Sequence, residues 1–544
     1  MNYTSTRNSR KKVTAAEAII KGISDDGGLF VPSDLGALPK LTEDVLGDIA
    51  AKSYNAYQEV AFDVLQPILG FSEKDNEELR ECVNNAYGAE NLGENCGAGK
   101  FRTVGTTRLV KLDDNKSRGP AYVLELWHGP TAAFKDMALQ ILPGLITLAK
   151  KNVKGTAPRT VILTATSGDT GKAALEGFKN VAGIDIAVFY PVNGVSDMQK
   201  LQMTTQEGNN VHVFAVNGNF DDCQSAVKDV FGDANVSAKA QNAGIMFSSA
   251  NSINWGRLCP QIVYYVSAYA DLVRNKAIRC GEKINICVPT GNFGNILAAY
   301  YAVAMGLPVN KLICASNANN VLTDFIETGV YDINREFKTT VSPSMDILVS
   351  SNLERLLYHL SGNDDKVINE WFTSLKNDGK FEVGKDVLAK LKALLYGGWC
   401  NEDDTTDTIK KVYETYGYLM DTHTAVGYKV WTDYAVTMGD FNTKTIIVST
   451  ANPYKFSETV HEALFGKYVS AHDDRDIMPV DIESDEYDGD AQSITLHDLG
   501  VVNALEERTE IRAPKSLTDV ETKAIRFTEV LEKSQIKDIV LKIF

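Results

Sequence analysis

The chain has 544 residues, of which 44% are hydrophobic and 23% are charged, an ordinary globular mixture that predicts two or three domains. Its formal net charge of −16 disfavours nucleic acid and anionic membranes as partners, although a small anionic substrate responds mainly to its own pocket. No apolar stretch is long enough to predict a membrane span, and the first thirty residues contain no apolar segment typical of a secretory signal.

The eight cysteines are scattered along the chain, without a C-x-x-C pair and without a cysteine–histidine cluster at zinc spacing. We therefore interpret them as free thiols of a protein in a reducing compartment, and we expect a cytoplasmic location. Neither a metal ion nor an obligate protein partner is predicted.

The first part of the chain, residues 1–95, predicts a separate and mostly helical N-terminal domain. Thr14 and Glu17 have the spacing of a capping box at the start of a helix, and a short strand is predicted at 29–31. The three glycines in 93–100 indicate a connection to the following part of the chain.

From residue 96 to about residue 465, short apolar runs alternate with helical segments. This alternation is typical of parallel strands joined by crossover helices, and it predicts an α/β fold with open, mainly parallel sheets flanked by helices. The predicted strands are 122–127, 161–164, 184–190, 211–216, 284–288, 312–315 and 445–448. We interpret 466–544 as a C-terminal extension in which the Asp-rich stretch 473–490 is a surface insertion.

Two strand-to-helix loops are candidates for ligand binding. They are Thr166-Ser167-Gly168-Asp169-Thr170-Gly171 and Gly291-Asn292-Phe293-Gly294-Asn295. Ligands of open α/β sheets bind beyond the carboxyl ends of the strands, where glycines let backbone amides turn inward and a helix N-terminus adds partial positive charge. One such loop is as consistent with a tight structural turn as with a ligand site, but two in one chain favour anion binding.

The first loop does not match a nucleotide-binding motif. Lys172 is followed by Ala173 rather than Ser or Thr, and Gly168 is too close for the Walker A spacing. The dinucleotide-binding pattern G-x-G-x-x-G is also not matched, which makes nucleotide binding a weak interpretation.

Lys135 is the third candidate, because it follows a predicted strand and opens an apolar helix. A lysine beside apolar side chains and other cations loses its usual pKa of about 10.4 and becomes a nucleophilic amine that can bond to a carbonyl group. From position alone, a surface lysine at a helix start is the commoner explanation.

The segment from His128 to Asp136 resembles the cofactor-lysine signature of threonine synthases, which are fold-type-II pyridoxal-phosphate enzymes. Other segments resemble further motifs of this family and follow in its order; they are 3–7, 26–32, 166–171, 251–257, 289–295, 342–347, 421–427 and 449–456. The resemblance extends from residue 3 to about residue 465 and fits the longer class found in many bacteria and in fungi. It implies a core like that of the tryptophan synthase β subunit, with the active site between two subdomains.

The resemblance also implies roles in cofactor binding. Lys135 would bond to pyridoxal 5′-phosphate and shuttle protons, and Phe134 would pack near the cofactor ring. The loop from Gly291 to Asn295 would bind the cofactor phosphate. Thr450 would hydrogen-bond the pyridine nitrogen, and Asp169 would lie near the ring oxygen O3′.

The implied substrate is O-phospho-L-homoserine, which the family converts with water into L-threonine and phosphate. Its carboxylate would be bound by Ser167, Gly168 and Thr170, and its phosphate by Asn251, Ser252 and Arg257. Arginine suits a phosphate site because its planar group donates two parallel hydrogen bonds.

Some positions depart from the family pattern, and others allow two interpretations. Asn8 replaces a usual glycine, Thr422 a usual proline, and Asn452 a usual histidine that would position the ring or the substrate. His128 is as readily structural as catalytic, and His423 is more readily structural. Asp136 is interpreted as a helix cap, and Asp346 is assigned no role.

Three other functions remain open at this stage. A phospho-lyase with the same site would release 2-oxobutyrate and ammonia instead of threonine. An amino-acid dehydratase acting on unphosphorylated serine or threonine would not need Asn251 and Arg257. A non-catalytic binding homologue is disfavoured because Lys135 is intact.

Overall fold

The computed structural model describes residues 1–52, 57–88, 106–115, 119–468 and 491–543. The predicted connection at 93–100, the boundary after residue 95 and the Asp-rich stretch 473–490 lie outside these residues. Among the helices of the described ranges, none is long and apolar enough to cross a membrane.

The strands of the described residues form four sheets. They are β1 (Tyr3–Ser5), β2 (Asn8–Val13), β3 (Phe30–Pro32), β4 (Arg108–Asn115), β5 (Gly119–Glu125), β6 (Arg159–Ala165), β7 (Ile184–Pro191), β8 (Val211–Asn217), β9 (Ile245–Ser249), β10 (Ile284–Pro289), β11 (Val309–Ser316), β12 (Val330–Asp332), β13 (Lys380–Glu382), β14 (Leu395–Trp399), β15 (Thr445–Ser449) and β16 (Val530–Glu532).

The α-helices flank these sheets and make up most of the N-terminal segment. They are α1 (Ala15–Lys21), α2 (Glu43–Ala51), α3 (Tyr57–Leu69), α4 (Asn76–Tyr87), α5 (Asp136–Leu139), α6 (Leu142–Asn152), α7 (Asp169–Phe178), α8 (Asp197–Thr204), α9 (Phe220–Gly232), α10 (Ala234–Asn242), α11 (Trp255–Leu258), α12 (Pro260–Arg274), α13 (Gly294–Met305), α14 (Val321–Thr328), α15 (Leu353–Leu360), α16 (Asp365–Asp378), α17 (Lys385–Leu394), α18 (Glu402–Tyr416), α19 (Thr422–Met438), α20 (Ser457–Phe465), α21 (Ala491–Thr509), α22 (Lys515–Thr518) and α23 (Ile536–Lys542).

The larger sheet has six strands in the order β14-β11-β10-β15-β5-β4. Every neighbouring pair is parallel except β4 and β5, which run antiparallel at one edge. The central strands β10 and β15 are buried along their whole length because helices such as α19 and α13 pack against them. The predicted α/β fold with mainly parallel sheets is confirmed.

The second sheet has five parallel strands in the order β16-β8-β7-β6-β9. Its edge strand β16 comes from the C-terminal segment, and α23 of that segment packs on α9. All seven strands predicted between residues 96 and 465 are present, but β4, β9, β14 and β16 of the two larger sheets were not predicted. These four are short, polar or interrupted by glycine, so their pairing is decided by the neighbouring strands rather than by their own apolar pattern.

The N-terminal segment contains the three-stranded antiparallel sheet β2-β1-β3 in addition to its helices. Helix α1 begins where the capping box was predicted. The Thr14 hydroxyl accepts a hydrogen bond from the amide of Glu17 at 3.2 Å, and the Glu17 carboxylate accepts one from the amide of Thr14 at 2.7 Å. This helix packs against α6 and α11, which joins the N-terminal segment to the α/β core.

We expect Thr14→Ala to lower the opening free energy of α1 by about 1 kcal/mol, because the substitution leaves one amide of the first turn without its partner. Amide hydrogen exchange in peptides covering α1 should then be about five times faster. Thr415→Ala is a suitable control, since Thr415 is exposed within α18 and caps no helix. Equal exchange rates in the Thr14→Ala variant and the parent would contradict the prediction.

Candidate active site

A cleft opens beyond the carboxyl ends of β6, β10 and β15, and it contains about 750 Å³ of empty space, open solvent included. Most of the predicted site residues line it; they are Phe134, Lys135, Ser167, Thr170, Asn251, Ser252, Arg257, Gly291, Asn292, Phe293, Gly294, Asn295 and Thr450. Gly168 and Asp169 lie in the same loop as Ser167. The three segments that sequence analysis singled out separately therefore meet at one place.

The loop that carries Lys135 is held by the loop after β15. The amide of Phe134 donates to the carbonyl of Thr450 at 2.8 Å, and the amide of Asn452 donates to the carbonyl of Ala132 at 3.0 Å. These two hydrogen bonds fix Lys135 and Thr450 on neighbouring parts of the cleft wall.

The amine of Lys135 lies in a site that disfavours its protonated form. Burial is the main cause and lowers the pKa of Lys135 to about 8. The carboxylate of Asp169 opposes this shift, while the positive charges of Arg257 and Lys455 reinforce it. A much larger fraction of this amine is therefore neutral, and nucleophilic, near physiological pH than in an ordinary lysine.

The second loop, between β10 and α13, forms a cradle whose geometry suits an anion. Phe293 adopts a left-handed backbone conformation (φ 63°) immediately before α13 begins at Gly294. A Cβ atom on Gly291 would lie 2.6 Å from the carbonyl oxygen of Ser344, so this close approach requires glycine. The first amides of α13 have no partner within the helix, and its N-terminus carries partial positive charge.

Asn295 adds a side-chain donor to this cradle. Its carbonyl oxygen accepts hydrogen bonds from the hydroxyls of Tyr264 and Tyr265, both at 2.5 Å. Its amide nitrogen is buried and has no hydrogen-bond partner among the described residues, although the side chain lines the cleft. A buried donor of this kind is usually satisfied by a ligand or by water.

Arg257 also lines the cleft, and it is only 4% exposed. Its guanidinium donates to the carbonyl of Ala250 at 2.6 Å and to the hydroxyl of Thr170 at 3.2 Å. No carboxylate of the described residues forms an ion pair with it, and burial lowers the pKa of Arg257 to about 9. A buried cation without a counter-ion in a cleft is suited to binding an anionic ligand.

Ser252 and Asn251 also line the cleft, and a hydrogen bond to another part of the protein holds each side chain in place. The Ser252 hydroxyl accepts a hydrogen bond from the amide side chain of Asn352 at 2.9 Å. The Asn251 side chain donates to the carbonyl of Ala165 at 2.9 Å. Each side chain thus has a fixed orientation at the cleft wall before any ligand binds.

Asp169 begins α7 and is buried below the cleft with two side-chain partners. The ammonium of Lys455 lies 2.8 Å from its carboxylate, and the amide of Gln199 donates to it at 2.8 Å. Although burial opposes ionisation, Lys455 and Lys135 together hold the pKa of Asp169 well below its usual range. Sequence analysis missed Lys455 and Gln199, since no local pattern shows that their side chains converge on Asp169.

The two histidines that allowed two interpretations are both anchored by carboxylates. His423 lines the cleft, where its Nδ1 lies 2.8 Å from Asp421 and its Nε2 accepts a hydrogen bond from the amide of Ser344 at 3.1 Å. His128 is buried, with Nε2 at 2.8 Å from Glu125. These contacts support a structural interpretation of both residues.

Asp136 does not cap α5, which contradicts the expectation from sequence. It is the first residue of that helix, and its carboxylate accepts hydrogen bonds from the amide of Thr131 at 2.9 Å and from the Thr131 hydroxyl at 2.8 Å. Burial raises the pKa of Asp136 to about 6. The residue therefore shapes the turn that precedes Lys135.

Asn452 is also used structurally. Its side-chain oxygen accepts a hydrogen bond from the amide of Tyr454 at 3.0 Å and caps the short turn Pro453–Phe456. The side chain is buried and turned to this cap. The local backbone is therefore supported by asparagine at the position where the family usually has histidine.

The residues of the cleft fit pyridoxal phosphate, the cofactor expected from the sequence. Lys135 offers a neutral amine for the aldehyde, the cradle at α13 with the unpaired amide of Asn295 suits the phosphate, and the hydroxyl side chain of Thr450 suits the ring nitrogen. The seven described cysteines are all free. Within the described ranges, no cluster of His, Cys, Asp and Glu could hold a metal ion.

Comparison with known families assigns three segments of the chain. Residues 2–87 match the family described as "Threonine synthase N terminus", residues 100–450 match "Pyridoxal-phosphate dependent enzyme", and residues 424–488 match "Threonine synthase, C-terminal". The second match alone covers more than half of the chain.

Individual relatives agree with these families. "Threonine synthase-like 1" from Homo sapiens is 40% identical over 84% of the chain, which spans only 59% of that relative's length. "Threonine synthase" from Schizosaccharomyces pombe is 35% identical over 98% of the chain and 99% of the relative. The structure of PLP-bound threonine synthase from Brucella melitensis aligns with a TM-score of 0.77 and 32% identity, covering 100% of this chain and 99% of the other.

Proposed function

Since the chain belongs to the threonine synthase family of pyridoxal-phosphate-dependent enzymes, we propose that it converts O-phospho-L-homoserine and water into L-threonine and phosphate. Pyridoxal 5′-phosphate is its cofactor. The observation that carries the proposal is the pairing of two features in one cleft. One is the amine of Lys135, whose pKa is lowered to about 8, and the other is the buried guanidinium of Arg257, which has no counter-ion among the described residues.

The two features match the two ends of this substrate. An amino acid bound through its amino group must lie close to Lys135, and a phosphate on its γ-carbon then reaches across the cleft. The guanidinium of Arg257, together with the side chains of Asn251 and Ser252, offers donors for that phosphate. The hydroxyls of Ser167 and Thr170 lie in the loop proposed to receive the carboxylate.

Pyridoxal phosphate, when bound, accepts the electron pair left behind when a proton is removed from the α-carbon of an amino acid. The residues of this chain supply the proton transfers and the binding. The amine of Lys135, once free, would remove the α-proton and then act on a proton of the β-carbon, which allows phosphate to leave from the γ-carbon. Arg257 stabilises the phosphate as its bond to the γ-carbon breaks and its negative charge increases. A proton is then added at the γ-carbon, water adds its hydroxyl at the β-carbon, and a proton returns to the α-carbon to give threonine.

Three alternatives differ in what they require of the same cleft. A phospho-lyase would use the same residues but would release 2-oxobutyrate and ammonia, so the products distinguish it. If the protein were a dehydratase for unphosphorylated amino acids, the buried charge of Arg257 would have no function. If the protein were a non-catalytic homologue, the lowered pKa of Lys135 would have no function.

The test is a product assay on the protein purified with pyridoxal phosphate. After addition of O-phospho-L-homoserine, phosphate, threonine and 2-oxobutyrate are measured in the same samples. Threonine that appears one-for-one with phosphate supports the proposal. Phosphate with 2-oxobutyrate would instead identify a phospho-lyase, and no turnover by cofactor-loaded protein would overturn the substrate assignment.

We expect the reaction of Lys135 with pyridoxal phosphate to become faster as the pH rises through about 8 and then to level off. Only the neutral amine attacks the aldehyde, and it predominates above its pKa. The cofactor-free protein is mixed with pyridoxal phosphate at a series of pH values and trapped with borohydride, and labelled Lys135 is quantified by mass spectrometry. A rate that still rises about tenfold per pH unit near pH 9 would indicate an ordinary lysine pKa and would contradict the prediction.

We also propose that the chain functions in the cytoplasm, which its free cysteines support. No obligate protein partner is proposed. A fluorescent fusion of the full chain, imaged beside a cytoplasmic marker, tests the location. Accumulation in an oxidising compartment would contradict it.

A further inference from the structure

Lys455 has a fully buried ammonium group beside the cleft. Its side chain is 0% exposed, and it belongs to the short turn Pro453–Phe456 that follows β15 of the six-stranded sheet. The ammonium lies 2.8 Å from the carboxylate of Asp169 and donates to the carbonyl of Thr131 at 3.1 Å. Asp169 begins α7 of the five-stranded sheet, and Thr131 lies in the loop that leads to Lys135. The side chain of Lys455 therefore connects the six-stranded sheet, the five-stranded sheet and the loop that leads to Lys135.

A buried ion pair is a costly way to stabilise a fold. Removing two charges from water requires a large free energy, and apolar residues of similar volume often replace such pairs without loss of stability. The position of the pair next to the functional loops indicates a role in the charge distribution of the cleft.

The carboxylate of Asp169 is held from two sides. Besides Lys455, the amide of Gln199 on α8 donates to it at 2.8 Å. A Cβ atom on Gly168 would lie 2.3 Å from the Gln199 side chain, so α8 is packed tightly against the start of α7. These two partners therefore fix the direction in which the Asp169 carboxylate points.

We propose that Lys455 is a positioning residue of the active site, which holds the carboxylate of Asp169 and so prevents it from pairing with the amine of Lys135. The inference rests on the proposed role of Lys135 as the cofactor-binding lysine, but it does not depend on which substrate is used. Lys455 is not among the residues that line the cleft, so it acts on Lys135 through Asp169 and through its own charge.

The charged groups that face Lys135 are Asp169, Arg257 and Lys455. Two of them are cations, which favour the neutral amine, and one is an anion, which favours the ammonium. Loss of the Lys455 charge removes one cation and frees the anion. Both changes favour the protonated form of Lys135, so they act in the same direction.

The test compares the pH dependence of cofactor capture at Lys135 in the parent and in Lys455→Met, using cofactor-free protein, pyridoxal phosphate, borohydride trapping and mass spectrometry. We expect the midpoint of the profile to move upward by about one pH unit in Lys455→Met. Below the midpoint, capture at a fixed pH then becomes about tenfold slower.

Two controls separate charge from packing. Lys455→Arg keeps the positive charge and should keep a midpoint close to that of the parent. Lys172→Met removes another largely buried ammonium, from α7, which is paired with Glu176 and Gln206 and does not contact Asp169. It should also keep the parent midpoint.

An unchanged midpoint in Lys455→Met would overturn the proposal, as would an equal shift in Lys172→Met. If Lys455→Met does not fold, Asp169→Asn provides the complementary test, since it removes the anion and keeps Lys455. Its midpoint should fall below that of the parent, and an unchanged or higher midpoint would overturn the proposal. Capture is measured without substrate, so its result does not depend on whether the product assay succeeds. The product assay likewise does not depend on the midpoint found in the capture experiment.

Discussion

Replacement of Lys135 by alanine is expected to lower threonine formation by at least about a thousandfold and to abolish covalent attachment of pyridoxal phosphate. The amine is the group proposed both to bond to the cofactor and to transfer the α-proton, and its lowered pKa of about 8 suits both tasks. Loss of one side chain therefore removes two functions at once, which makes this the largest effect that we predict.

The measurement combines the product assay with mass spectrometry of borohydride-treated protein. Lys172→Ala serves as the matched control, because it removes a largely buried lysine that is not part of the cleft lining. Thermal unfolding of both variants shows whether the fold is retained. Threonine formation by Lys135→Ala at more than about a tenth of the parental rate would contradict the assignment of this lysine.

Arg257→Gln is expected to lower kcat/KM for O-phospho-L-homoserine by about a hundredfold. Two charge-assisted hydrogen bonds to phosphate are worth about 3 kcal/mol together, which corresponds to this factor. The free protein should lose little stability, because the substitution removes two hydrogen bonds but also a buried cation that has no counter-ion among the described residues.

Inhibition by inorganic phosphate gives a second measurement of the same site. The inhibition constant should rise together with KM in Arg257→Gln. Arg257→Lys should fall between this variant and the parent, because an ammonium keeps the charge but loses the two-fold hydrogen-bonding geometry. Unchanged phosphate inhibition in Arg257→Gln would place the phosphate elsewhere in the cleft.

The candidate site was predictable from sequence wherever its parts lie in short continuous segments. The loops at 166–171 and 291–295 each combine a preceding apolar strand, glycine and a following helix, so both could be recognised locally. The assignment of Lys135 needed the resemblance to a family, since a lysine at a helix start has no distinctive local pattern. The cofactor and substrate roles of these residues stay predictions until the variants are measured.

Other parts of the site could not be predicted because they depend on contacts between distant segments. Lys455 and Asp169 are far apart in sequence, and each belongs to a local pattern that has its own explanation. Asp136 has the position of a helix cap in sequence, but the fold turns its carboxylate back to Thr131.

The sequence by itself determined the α/β class, the buried central strands, the capping box of α1 and the three segments that form the cleft. These features depend on local propensity and on apolar periodicity, which short stretches of chain express without help from the rest. The tertiary structure alone decided that β16 completes the second sheet and that Asp169 is paired with Lys455. It also decided that Arg257 is buried without a counter-ion among the described residues. Burial and charge pairing depend on which distant segments come together, and no local pattern contains that information.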